Sequence, residues 1–403
     1  MLSPKLHLIR IRLLWLFLAL IVSGSIHAQR KSEMKKLIKN EFEFAAKQYK
    51  LMAARVPAGK MPQTYNPKTG KAVFSGLKWW CSGFYPGTLW MIYEQTGDKA
   101  ILKEARKKLA ELEPIKHYKG NHDLGFMINC SFGNAYRLTR NPSYAKTLDT
   151  AAMTLTLRYR PKVHAIQSWN KSKDFTCPVI IDNMMNLELL CWASRNTGDT
   201  SFLHIAREHA NTTLKNHFRA DYSSYHVVDY NPETGGIIAK RTWQGANDTS
   251  AWARGQAWGL YGYTMMYRFT KSAAYLNQAE HIAHFILNNP TTPADMIPYW
   301  DYDAPDLKDA PRDASAAAIT ASALLELARY APRKQGKVYV LAAKKILVSL
   351  SSDQYRAKLG ENGDFILMHS TGALPFKSEI DSPLSYADYY YLEALARYKD
   401  WYL

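Results

Sequence analysis

Four segments of the chain gather carboxylates, aromatic rings and hydrogen-bond donors more densely than a plain helical core requires. They are Trp79–Trp90, Asn121–Phe126, Ile181–Asn186 and Thr242–Trp258. Asp123 stands between His122 and Leu124-Gly-Phe, and Asp182 stands between Ile181 and Asn-Met-Met. A carboxylate among such apolar neighbours loses hydration, which raises its pKa toward neutrality and suits it to donate a proton. Two carboxylates in one aromatic cavity are the usual apparatus for breaking a glycosidic linkage. Each Asp taken alone has a plainer role open to it, as a helix cap or a tie between helices, because structural networks perturb carboxylates too.

The fourth segment narrows the chemistry. If Trp252–Trp258 is one helix, Arg254 and Trp258 are four residues apart and share a face. Trp243, Trp252 and Trp258 offer flat apolar surfaces for a pyranose ring, and Arg254 offers a fork of donors matched to a carboxylate. Together they describe a pocket for an acidic sugar. The alternative, tryptophans as core filler, would bury Gln244, Asn247, Asp248 and Gln256 beside them. No His/Cys/Asp grouping has metal-ligand spacing, and the acidic stretch Asp295–Asp313 lacks a calcium-loop pattern, so no metal or cofactor is expected.

These segments need a scaffold. The chain has 403 residues, 47% hydrophobic and 22% charged, enough for one large core. Residues 1–28 read as a secretory signal peptide: Lys5, Arg10 and Arg12, then ten apolar residues Leu13–Val22, then small residues up to Ala28. That run is half of what a membrane span requires. Export to the periplasm or the medium is therefore expected, leaving residues 29–403 as one catalytic domain with no membrane span. Cys81, Cys130, Cys177 and Cys191 form no CxxC pair and read as buried thiols.

Along the rest of the chain an aromatic helix end, a short polar turn and a new helix recur. Examples are Tyr93–Asp98, Tyr136–Pro142, Trp192–Asp199, Tyr267–Thr270 and Arg329-Tyr330. Gly97 and Gly198 can end a helix in the left-handed conformation, and Asp98, Ser143 and Asp199 can cap the next one. Repeated helical hairpins with irregular spacing favour closure over an open solenoid. The expected fold is all-α, a six-hairpin (α/α)6 barrel in a single domain, with Asp313–Ile319 on an inner helix because its residues are small.

The four segments, in this order, resemble the unsaturated glucuronyl hydrolases of glycoside hydrolase family 88. Trp300–Pro305, Arg312–Ala317 and Asp388–Leu395 add to the resemblance, which spans roughly residues 35 to 400. It implies that Asp182 is the catalytic acid and base and Asp123 the second carboxylate. It also implies that His226, Trp80, Gln244, Trp252, Arg254 and Trp258 bind the uronate, and that Ser382 and Ser385 are a substrate-contacting loop pair. Lys377 and Arg312 are then the candidate sulfate contacts. The implied partners are unsaturated acidic oligosaccharides from polysaccharide lyases, sulfated or not. The unsaturated rhamnogalacturonyl hydrolases share this fold and acid, and a non-catalytic polyanion-binding protein is the other alternative.

The net charge of +17 is compatible with any polyanion. Nucleic acid is disfavoured by the signal peptide and the lack of a nucleic-acid motif. Residues 30–119 carry 19 Lys and Arg against eight acids, so the excess lies in the N-terminal helices, either beside the cleft or on an outer face.

Overall fold

A computed structural model describes residues 31–403; the expected signal peptide lies outside the described residues. Twelve helical segments are distributed along them: α1 (31–55), α2 (Phe84–Thr96), α3 (Lys99–Leu112), α4 (Asn134–Thr139), α5 (Pro142–Thr156), α6 (Asn183–Thr197), α7 (Thr200–Asn216), α8 (Ala253–Thr270), α9 (Ala273–Asn288), α10 (Ala314–Leu327), α11 (Arg333–Leu350) and α12 (Ser385–Tyr402). A π-helical stretch, Gly125–Gly133, runs directly into α4.

Burial sorts these helices into two rings. Every residue of α10, Ala-Ser-Ala-Ala-Ala-Ile and onward, is buried, as are residues 253–266 of α8. Such all-round burial requires small or apolar side chains on every face. By contrast α3 buries Ile101, Ala105, Lys108, Leu109 and Leu112, one stripe at helical spacing, and turns its other residues outward. The even-numbered helices pack in sequence, α2 on the π-helical stretch with α4, then α6, α8, α10 and α12, and α12 returns to α2. The odd-numbered helices surround them. This is the closed (α/α)6 ring. No helix among the described residues is long and apolar enough to cross a membrane.

The recurring turn is one device used four times. Thr96, Thr139, Thr197 and Thr270 each donate a hydroxyl hydrogen bond to the carbonyl four residues back, at 2.7–2.8 Å. Each also accepts the N–H two residues on, at 3.2–3.3 Å. The residue between is left-handed, glycine at 97 and 198 but Arg140 and Lys271 in the other copies. The residue after it starts the next helix, and Asp98, Asn141 and Asp199 cap it through their side chains. In the second copy the cap is Asn141, not Ser143: the Ser143 N–H is the donor that Asn141 satisfies.

Short sheets occupy the loops at the N-terminal ends of the inner helices. β1 (Lys60–Asn66) and β2 (Lys71–Gly76) form a hairpin before α2, and β3 (Tyr159–Arg160) pairs with β4 (Ala165–Ile166). β5 (Pro178–Ile180), β6 (Val227–Tyr230) and β7 (Ile237–Arg241) form an antiparallel sheet in that order. All four cysteines are free and buried.

Candidate active site

β5 runs almost directly into α6, and this places Asp182. Ile180 pairs with Val227, and the next N–H, of Ile181, donates to the His226 carbonyl at 3.0 Å. The strand pair thus fixes Asp182 and His226 as neighbours although they are far apart in sequence. His226 Nδ1 accepts the backbone N–H groups of Trp243 and Gln244, both at 3.1 Å. The proton must then sit on Nε2, which lies 3.6 Å from Asp182 Oδ2. That oxygen is buried and has no hydrogen-bond partner. Burial holds the imidazole down to about 3, so His226 is a neutral donor beside the carboxyl group.

Asp123 is placed by a similar arrangement at the start of the π-helical stretch. The His122 N–H donates to the Ser168 carbonyl, and the Asp123 N–H donates to Asn121 Oδ1 at 3.0 Å. Asn186, one turn into α6, joins the two helices: its Oδ1 accepts the Phe126 N–H at 3.0 Å, and its Nδ2 lies 3.2 Å from His122 Nδ1. His122 Nε2 then lies 3.4 Å from Asp123 Oδ1. Gly125 is required for this approach, because a Cβ there would lie 2.4 Å from Asn186 Cα.

Both carboxyl groups are pushed up to about 7. Burial is the largest cause for each. For Asp182 the Asp123 charge raises it further, while the Arg254 charge opposes the rise. For Asp123 the Asn186 amide and Arg158 oppose burial. Two interacting acids titrate as a pair.

The cavity above them has a volume of about 400 Å³ and lies over the N-terminal ends of the inner helices. Trp80, Trp243, Gln244 and Arg254 line it, as sequence reasoning expected. Trp252, Trp258 and His226, all buried, do not. Trp252 packs on His226, ring centroids 4.6 Å apart, and under the Arg254 guanidinium at 4.5 Å. Trp258 is fully buried against Phe126 and Tyr390, behind Asp182. They support the site residues instead of offering a sugar platform. The aromatic walls come from Trp79, Trp80, Trp169, Trp243 and Phe376.

Arg254 is also more constrained than its sequence suggested. Nη1 bonds Asp313 Oδ2 at 3.0 Å and the Thr371 carbonyl, and Nη2 bonds the Gly372 carbonyl at 2.6 Å. The fork expected to clasp a carboxylate is occupied in holding a loop, and Nε is the donor without a partner. Gln256 is buried, as the core-filler alternative required, but Asn247 and Asp248 are exposed, because Asp301 and Asp303 carry the 246–251 segment by its N–H groups.

Ser382 and Ser385 do not line this cavity. Ser382 turns its hydroxyl to the Ile380 carbonyl at 3.0 Å and lines a neighbouring basin with Lys377, and Ser385 is buried. Arg312 is engaged by Asp295 and the Ile297 carbonyl. The same loop instead brings Phe376, Ser378 and Glu379 to the cavity, and α12 brings Tyr386. Sequence reasoning missed these four and Trp169. Trp169 carried a signal, an aromatic in the polar run Gln-Ser-Trp-Asn-Lys, but no periodicity placed it.

The basic N-terminal excess lies mostly on outer helices α1 and α3. Lys78, over the Tyr118 ring, adjoins Trp79 at the cavity. Among the described residues no group of three or more His, Cys, Asp or Glu side chains is arranged to hold a metal ion.

Residues 49–402 match the family model described as Glycosyl Hydrolase Family 88. The chain is 44% identical over 384 residues to an unsaturated glucuronyl hydrolase of Formosa agariphila, covering 92% of this chain and 94% of that protein. It is 35% identical to an unsaturated chondroitin disaccharide hydrolase of Streptococcus pyogenes serotype M1, covering 80% and 82%. It superposes, with a TM-score of 0.88 and 49% identity, on the crystal structure of an unsaturated glucuronyl hydrolase specific for heparin, covering 91% of this chain and 97% of that one.

Proposed function

The chain belongs to Glycosyl Hydrolase Family 88, and from that premise we propose how its cavity works. It is a glycoside hydrolase that removes the 4,5-unsaturated uronic acid from the non-reducing end of glycosaminoglycan-type oligosaccharides made by polysaccharide lyases. The observation that carries our assignment of roles is Asp182 lining the cavity with its Oδ2 buried and unpartnered, 3.6 Å from the neutral His226.

The unsaturated ring is a vinyl ether with an electron-rich C4. Asp182, protonated, delivers its proton to C4, and positive charge develops at C5 and the ring oxygen. Water then adds at C5 and returns a proton to the Asp182 carboxylate. The hemiketal so formed opens to a keto acid and releases the remaining sugar. This hydration route lies outside the retaining and inverting schemes, in which one carboxyl group protonates the glycosidic oxygen and the other acts at C1, directly or through water. Asp123 holds the substrate and, when ionised, supports the charge developing at C5. His226, its Nε2–H facing Asp182 Oδ2, keeps a neutral donor beside the acid. Trp80 and Trp243 are the stacking surfaces, and the N-terminal ends of the inner helices give the cavity a positive bias toward an anionic sugar.

We propose further that the protein acts after export, on the strength of residues 1–28, and that sulfated as well as unsulfated oligosaccharides are substrates. The test is loss of the ultraviolet absorbance of the conjugated uronate across a panel of lyase products, with unsaturated galacturonyl-rhamnose included. Decay is expected with the glycosaminoglycan disaccharides. No decay with any member would leave a polyanion-binding protein as the better reading.

A further inference from the structure

A third carboxylate lines the cavity. Glu379 lies on the loop between Ser370 and Ser382, whose ends pair with each other and whose arms close at Ala373 and Ser378. The Gly372 N–H donates to the Glu379 carbonyl at 2.8 Å, and Arg254 and Gln244 hold the Gly372 carbonyl from the cavity side. A side chain at position 372 has no space, since a Cβ there would lie 2.4 Å from Glu379 Oε2. Lys377, Glu379 and Asp381 all have positive φ, at 52°, 53° and 50°. Non-glycine residues adopt that conformation at a cost, and such costs concentrate where a side chain must be presented to a ligand.

Glu379 and Ser378 also line a second basin of about 1,090 Å³. Gln63 to Lys68, Lys377 and Asp381 bound its other sides. One carboxylate oxygen of Glu379 accepts from Gln63 Nε2 at 2.8 Å. Arg254 is the one cationic side chain lining the catalytic cavity among the described residues, and both its Nη atoms are committed to Asp313 and the loop. Lys68 and Lys377 line the outer basin and not the catalytic cavity.

We propose that Glu379 is a specificity-determining residue that reads the sugar at this neck, accepting a hydrogen bond from a hydroxyl there and excluding a sulfate ester at the same position. A hydroxyl supplies the donor that a carboxylate needs, whereas a sulfate brings only acceptor oxygens and a like charge. Sulfates at positions that point away from Glu379 are not opposed. The inference rests on the reading of the cavity given above.

The test compares kcat/KM for unsulfated and singly sulfated unsaturated disaccharides in the wild type, Glu379→Gln and Gln63→Ala. Glu379→Gln preserves shape and removes the charge. It is expected to raise kcat/KM for at least one sulfated member relative to the unsulfated one by about tenfold or more, chiefly through KM. Gln63→Ala, which removes the loop tie but keeps the carboxylate, is expected to change all members alike. Should Glu379→Gln fail to fold, Glu379→Ser carries the same comparison. Ratios that stay at the wild-type value, or a Gln63→Ala variant that shifts them equally, would overturn the proposal while leaving the hydrolase reading intact. A wild type that turns over no member would overturn the reading of the cavity and this proposal with it.

Discussion

Replacing Asp182 by Asn removes one proton and one latent charge while nearly preserving shape, so its effects on rate and stability can be worked out separately. Asp182 is pushed from 3.8 to about 7, with burial the largest cause and the Asp123 charge adding to it. A raised acid is more often protonated in the folded than in the unfolded protein. Folding therefore takes up a proton between pH about 4 and 7, and stability falls as pH rises through that window. The shift of about three units corresponds to about 4 kcal/mol lost above pH 7, as an order of magnitude. Asn pays none of this. The variant should match the wild type in thermal unfolding near pH 4 and exceed it by several degrees in Tm at pH 8. Turnover should fall about 10³-fold to 10⁴-fold, the upper range for losing a general acid, while binding of the unsaturated disaccharide persists. Absorbance of the conjugated uronate gives the rate, calorimetric scans at the two pH values give the stability, and titration calorimetry gives binding. Near-wild-type turnover, or a Tm gain equal at both pH values, would refute the argument that a buried, protonated Asp182 is the acid.

Other expectations follow from the same geometry. The alkaline limb of the kcat/KM profile should report an apparent pKa near 7 for the carboxylate pair. In Asp123→Asn, which loses the like charge that raises Asp182, any residual activity should lose its acid at lower pH. His226, held down to about 3, should show no titration between pH 5 and 8 in its imidazole NMR resonances, and a midpoint near 6.5 would show the neutral-donor assignment to be wrong. Gly125→Ala forces a Cβ against Asn186. It should destabilise the fold by about 2–4 kcal/mol in denaturant unfolding, with activity falling because Asp123 is displaced. Trp243→Ala should raise KM about tenfold with a smaller change in kcat, as expected for a platform used in ground state and transition state alike.

The helical hairpins were legible because their signals are local. A threonine, a left-handed residue and a capping side chain within three positions satisfy the helix ends wherever the chain carries them. The all-small run Ala314–Ala318 announced an inner helix, since nothing larger packs on every side. Asp123 and Asp182 were legible by their apolar neighbours, and the structure buries both. Orientation was not legible. Spacing placed Arg254 and Trp258 on one face of α8, but could not say that Trp258 lies behind Asp182 or that Thr371 and Gly372 occupy the guanidinium.

Trp169 and Glu379 sit in irregular loops, where no period indicates which side chain turns inward, and both line the cavity. Sequence reasoning offered Ser143 as a cap, and the backbone geometry gives that role to Asn141. Residue type and short-range periodicity therefore determined that this chain would be a ring of helical hairpins carrying two acids among aromatic rings. Only the tertiary structure decided which rings face the sugar, which donors are already spent and which imidazole nitrogen holds the proton. The reason is range: helix ends and burial patterns are satisfied within a few residues. The His226 tautomer depends on two N–H groups 17 and 18 residues away, and the Arg254 donors on carbonyls 117 and 118 residues away.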